Sequence, residues 1–237
     1  MKKLGGVALA AAFATVFATA STASAANEGT GWKLESGSPY FITHLAHNST
    51  YTLSFVTQKS RSWLTPYLKV PVQQLNAMPE VKNAGIKFVL STTIEGGTNY
   101  QNKKYCAGPQ HHIMFHLKYR PLDGKKGMSR ALPCYNTKTN AAWGGYVEMD
   151  TEYWTSTGKE NSWFGSNRTK AHAMTLNAVT HELGHMMGLD HPDPSKFSPN
   201  ENKPVMTSPN GGYLNSNGGK FTAADLRGIR KLVSNGA

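Results

Sequence analysis

The stretch that most constrains this chain is His181-Glu182-Leu183-Gly184-His185-Met186-Met187-Gly188-Leu189-Asp190-His191. It places His at its first, fifth and eleventh positions, Glu at its second and Gly at its eighth. On a helix, His181 and His185 lie about one turn apart on one face, so both imidazoles can reach a single metal ion. Glu182 is turned about 100° from His181, which brings its carboxylate beside that ion. Continued as helix, the chain would carry His191 about 15 Å from His181 along the axis, out of reach. The chain therefore has to reverse before His191. Gly188 is placed to do this, because glycine accepts the positive φ of a helix C-terminus without steric cost. In a chain of this composition the full pattern arises by chance with a probability of roughly 5 in 100,000. It predicts a helix ending near Gly188, three imidazoles on one ion, and a carboxylate positioned for proton transfer.

Four further segments accompany the motif. Pro204-Val205-Met206-Thr207 follows His191 and resembles a Met-turn. Residues 221–232 include Asp225-Leu226-Arg227-Gly228-Ile229-Arg230-Lys231-Leu232, of the form D-[IL]-x-G-I-x-x-L. The run from Gly145 to Thr155 contains Asp150, Glu152, Trp154 and Thr155 in a D-x-E-x-W-T arrangement. His111 to Leu117 is similar to a D-I-x-I-x-F strand. With these segments the chain resembles the metzincins, a clan of secreted zinc endopeptidases, and is most similar to the matrixin (matrix metalloproteinase-like) family.

The resemblance implies an α+β zincin catalytic domain over residues 51–237. Its parts are a mixed twisted sheet with an edge strand along the substrate, an active-site helix, and an irregular C-terminal part with a Met-turn and a closing helix. It implies one catalytic Zn²⁺ on His181, His185 and His191, Glu182 as general base, and Met206 beneath the ligands. The chain departs from the matrixin pattern in three places. Val147, and Leu132 with Pro133, stand where histidines would hold a second, structural zinc, so one zinc is expected. The cysteine-switch motif is absent, and no tyrosine follows Met206 closely enough to serve as a fifth ligand.

Residues 1–25 read as a secretory signal peptide, with a membrane anchor as the alternative: Lys2 and Lys3, then an apolar, alanine-rich run from Leu4 to Ala20, then the small-residue site Ala23-Ser24-Ala25, which favours cleavage. The protein is expected to be secreted and extracellular, with no other stretch apolar enough for stable membrane insertion. The remaining chain is long enough for one domain with a sizeable core. The net charge of +11 comes from dispersed Lys and Arg without a nucleic-acid-binding motif. Nucleic acid is therefore not an expected partner, while attraction to an anionic cell surface or matrix stays open. A monomer acting on a protein or peptide is expected. Residues 26–50, polar and carrying His44 and His47, form an N-terminal arm or a short propeptide. In a latent form, Glu28 or Glu35 could cap the zinc as carboxylate ligands.

Tyr51–Gln58 alternates as a first strand. Thr65-Pro66 reads as a helix start, with Pro71 kinking or splitting the helix and Pro79 ending it. Strands follow at Ile86–Leu90, Ile113–Tyr119, Arg130–Tyr135 (the candidate edge strand) and Gly145–Asp150. The active-site helix is expected from about Thr169, burying Leu176, Val179, Leu183 and Met187. The closing helix is expected at Thr222, capped with Asp225. Cys106 and Cys134, the two cysteines of a secreted chain, predict a disulfide. His112, Met114 and His116 share one strand face, where a second metal and ordinary hydrogen-bonded histidines are the alternatives. Glu148, Asp150 and Glu152 fall on one side of the next strand, making a Ca²⁺ site possible beside the alternative of a solvated acidic edge.

The expected function is hydrolysis of peptide bonds by a metal-activated water with Glu182 as the base. The alternatives are a cell-wall peptide hydrolase and a secreted zinc-binding protein with vestigial peptidase activity. The intact Glu182 weighs against the last, because zinc binding alone does not need that carboxylate.

Overall fold

The structure is a computed structural model that describes residues 26–96, 106, 108–161, 168–207 and 218–236. The signal peptide expected at 1–25 lies outside the described residues. The arm at 26–50 supplies five short strands: Glu28–Gly29 (β1), Trp32–Leu34 (β2), Ser36–Gly37 (β3), Tyr40–Phe41 (β4) and His44–Leu45 (β5). Thr50–Phe55 (β6) is followed by helices Gln58–Ala77 (α1) and Pro79–Asn83 (α2). The chain then forms strands Lys87–Ile94 (β7), His112–Lys118 (β8), Arg130–Tyr135 (β9) and Ala141–Asp150 (β10). Helix Arg168–Met187 (α3), strand Leu189–Asp190 (β11) and helix Ala223–Ser234 (α4) complete it.

The main sheet runs β7-β6-β8-β10-β9, with β5 beside the start of β10. Every pairing is parallel except β9 with β10, which is antiparallel and leaves β9 at the edge. Helices α1 and α3 pack together and against the sheet. Their contact encloses Leu53, Phe55, Leu64, Leu68, Phe115, Val147, Val179 and Leu183, all fully buried. Each such side chain contributes roughly 1.5–3 kcal/mol by leaving water. The architecture is therefore mixed α+β with a mostly parallel sheet. Gly145 in β10 has φ +135°, and a Cβ there would meet the Leu132 carbonyl oxygen at 2.4 Å and Met186 Cε at 2.5 Å. The absent side chain lets α3 settle closely on β10 and fixes the depth of the motif.

The helix start expected at Thr65 is wrong. Thr57 is the N-cap, its hydroxyl accepting from Ser60 N–H at 3.0 Å, and α1 runs on through both Pro66 and Pro71. An interior proline costs about 3 kcal/mol. Buried Leu64, Tyr67, Leu68, Val72 and Leu75 outweigh the two prolines, because at roughly 1.5–3 kcal/mol each they recover about 8–15 kcal/mol against a cost of about 6. Strand β6 accordingly ends at Phe55 rather than Gln58, while β7 and β10 extend beyond Ile86–Leu90 and Gly145–Asp150. Strand β9 spans Arg130–Tyr135 as expected, and Pro79 opens α2 after α1 has ended.

Candidate metal centre

Helix α3 carries His181 and His185 and ends at Met187. Gly188, at φ +108°, then reverses the chain, and β11 delivers His191. The Nε2 atoms of the three histidines stand 3.0, 3.1 and 3.2 Å apart. The outer nitrogens account for two of the tautomers. His181 Nδ1–H donates to the Val205 carbonyl at 2.8 Å, and His185 Nδ1–H donates to the Leu189 carbonyl at 2.8 Å. With Nδ1 protonated, Nε2 presents a lone pair. Lone pairs facing one another at such distances repel, and a cation among them removes the repulsion. Tetrahedral zinc, with Zn–N bonds of about 2.0–2.1 Å, requires nitrogens roughly 3.3–3.4 Å apart. The triad fits a metal of that size, and it is the one group of three His, Cys, Asp or Glu residues so placed among the described residues.

Burial sets the charge of these groups. It holds His181 well below the ordinary histidine value and lowers His191 to about 4, so both imidazoles are neutral at pH 7. Burial pulls His185 down too, but the Glu35 hydrogen bond and the Glu182 charge leave it raised. Glu182 is pushed up by burial to about 7, within the range useful for both accepting and returning a proton at neutral pH. The three histidines and Glu182 line one open cavity of about 320 Å³, whose other walls include Tyr40, Leu122, Met128, Ala131 and Pro133. Strand β9 thus borders the metal cleft.

Beneath the motif, Met206 is 1% exposed and its sulfur packs against the backbone at Gly184. The turn that carries it is gripped by α4. Asp225 Oδ2 accepts from Val205 N–H at 2.9 Å and from Thr222 Oγ1–H at 2.7 Å, and Oδ1 accepts from Met206 N–H at 3.2 Å. The Thr222–Asp225 capping box expected from the sequence is present. Its carboxylate reaches past the cap to hold the same Val205 whose carbonyl orients His181. The sequence marks Asp225 as a cap only; the second role exists because the N-terminus of α4 abuts the turn. Tyr40, on the cleft wall, had no signal in the sequence.

The two arm carboxylates considered as zinc caps are placed otherwise. Glu28 is at the surface and pairs with Lys196. Glu35 contacts the outer nitrogen of His185 at 3.1 Å, on the side away from the other two imidazoles. His44 bonds Thr43, and His47 bonds the Val233 carbonyl. Glu148, Asp150 and Glu152 do not converge as a calcium site would need. Glu148 pairs with Lys118 and Arg130, and Glu152 pairs with Arg120. Asp150 accepts backbone N–H groups of Arg120, Gly127 and Glu152. The neighbouring cations and amides already occupy the oxygens that an ion would need. His112 pairs with Glu95 and His116 with the Tyr146 hydroxyl, so that strand face forms no second metal cluster among the described residues.

Cys106 and Cys134 are joined in a disulfide, which ties the segment before β8 to β9. No described helix is long and apolar enough to cross a membrane. Of the segment from Thr207 to Lys220, expected to shape the pocket beyond the scissile bond, residues 208–217 lie outside the described residues. Comparison with protein-family models, with curated proteins and with solved structures returns no match.

Proposed function

We propose that this chain is a secreted zinc endopeptidase of the metzincin type, most similar to the matrixins. The observation that carries the reading is the convergence of three histidine Nε2 atoms and the Glu182 carboxylate on one open cavity beside an edge strand. His181, His185 and His191 hold the Zn²⁺, which when bound supplies Lewis acidity and lowers the pKa of water toward about 7. Glu182 takes a proton from the attacking water and delivers it to the nitrogen of the departing amine. Burial raises its pKa, which favours return of the proton after it has been accepted. Strand β9 pairs with β10 on one side, and a peptide laid along its other edge would hydrogen-bond as an added strand. Tyr40, Leu122 and Met128 offer apolar contact to the side chains of such a peptide.

The test is paired measurement of bound zinc and peptide hydrolysis, with casein as a protein substrate, on Glu182→Ala and His185→Ala. Glu182→Ala should keep its zinc and lose at least about 100-fold in rate, the lower range for a positioned base. His185→Ala should lose zinc and activity together. Full activity in Glu182→Ala would remove the carboxylate from the chemistry, and no hydrolysis of casein by the zinc-loaded, unaltered chain would remove the peptidase reading.

A further inference from the structure

The arm does more than pack on the domain. Strand β2 pairs antiparallel with β11, the two residues immediately before His191, with Leu34 opposite Leu189 and Lys33 opposite Asp190. Lys33 and Asp190 form an ion pair, and Glu35 N–H donates to the Gly188 carbonyl at 2.8 Å. The Glu35 backbone is thereby fixed against the turn that ends α3. Its side chain, 14% exposed, reaches His185 Nδ1 at 3.1 Å, across 150 residues of sequence.

We infer that Glu35 is a positioning residue of the metal centre: a carboxylate, delivered by the N-terminal arm, that holds His185 by its outer nitrogen and strengthens it as a ligand. The inference rests on the triad being a metal site and is independent of the substrate. The Leu189 carbonyl shares the same Nδ1–H at 2.8 Å, so orientation alone has two sources. Only Glu35 adds a full negative charge, which makes the opposite nitrogen a better donor to a cation; carboxylate–histidine–metal relays work in this way. Glu28 provides the contrast. It lies on the same arm with its side chain 45% exposed and paired with Lys196, and it touches none of the three histidines.

The experiment compares the intact chain with Glu35→Ala, Glu35→Gln and Glu28→Ala. Zinc affinity is measured by chelator competition, and the visible absorption of the cobalt-substituted proteins is recorded. Circular dichroism and the melting temperature of the metal-free forms report folding. Glu35→Ala should weaken zinc binding by about 10- to 100-fold and shift the cobalt bands. Glu35→Gln keeps an oxygen acceptor without the charge and should show a smaller loss in the same direction. Glu28→Ala should match the unaltered chain. Zinc affinity within about twofold of the unaltered chain in Glu35→Ala, with unchanged cobalt bands, would overturn the inference. So would a loss of metal explained wholly by a lower melting temperature of the metal-free protein. Should Glu35→Ala fail to fold, the near-isosteric Glu35→Gln decides, and unchanged affinity there overturns it equally. If the unaltered chain binds neither zinc nor cobalt, the metal reading itself falls. If it binds zinc and cleaves peptide while both Glu35 variants bind as tightly, only the role of Glu35 falls.

Discussion

Gly184 lies on α3 between His181 and His185, and the structure gives it no room for a side chain. A Cβ at this position would stand 2.2 Å from Met206 Sδ, 3.1 Å from Met206 Cε and 3.4 Å from Phe221 Cε1. Non-bonded heavy atoms are at ease near 3.5–4.0 Å, so in Gly184→Ala the Met206 sulfur has to move by more than about 1 Å. It has little space to do so, being 1% exposed on a turn whose backbone Asp225 holds at two points. Overpacking of this kind costs about 1–3 kcal/mol, and replacing a helical glycine by alanine returns about 1 kcal/mol. The net loss expected for Gly184→Ala is therefore up to about 2 kcal/mol. Met206→Ala leaves a cavity and costs about 2–5 kcal/mol, but it also removes the obstacle. In that background Gly184→Ala should stabilise by about 1 kcal/mol. The same substitution thus has opposite signs in the two backgrounds, a coupling of about 1–3 kcal/mol. Urea denaturation of the four proteins, followed by circular dichroism at one fixed excess of zinc, measures it. If Gly184→Ala had the same effect with and without the methionine, within about 0.5 kcal/mol, the packing argument for Met206 beneath the motif would be refuted.

Asp225→Ala should destabilise by about 2–4 kcal/mol, because it strands the buried N–H groups of Val205 and Met206. It should also weaken zinc binding by releasing the carbonyl that orients His181; thermal melts and zinc titration check both, and unchanged zinc affinity would break the proposed link. Reducing the Cys106–Cys134 bridge, which spans a sequence separation of 28, should cost about 3–4 kcal/mol in the chain-entropy model. Hydrolysis should persist at temperatures where the reduced protein stays folded. Free thiols at both positions in the native protein, shown by alkylation and mass analysis, would contradict the bridge. Zinc retention should fall with falling pH, since protons compete with the ion for imidazole nitrogens. Zinc measured after dialysis across about pH 4.5–8.5 (two units on either side of the free imidazole value of about 6.5) should decline on the acid side, and an increase there would reverse the argument.

What the sequence made legible follows from local chemistry. The spacing of His181, His185 and His191 and the glycine at 188 specify a helix, a stop and a return, and the structure has all three. The Thr222–Asp225 cap and the buried stripe Leu176, Val179, Leu183, Met187 are equally local. Misread features depended on contacts far along the chain. Pro66 and Pro71 look like breakers until the surface that α1 buries is known. Glu148, Asp150 and Glu152 look like ion ligands until Lys118, Arg120 and Arg130 arrive from neighbouring segments. Glu35 is one carboxylate in a polar arm, and nothing within ten residues of it signals the histidine it meets; only the pairing of β2 with β11 brings the two together.

That pairing also sets a clock. Glu35 and His185 are separated by 150 residues, and a ribosome adds about 5–20 residues each second. Roughly 8–30 s therefore pass between the synthesis of the carboxylate and that of its imidazole. Throughout that interval β2 has no β11 to bond, and no two of the three metal-facing nitrogens exist together. Neither end of the domain can complete the centre without the other. Completion of the histidine triad is thereby placed among the last events in the birth of the molecule, after the sheet and α1 have been made.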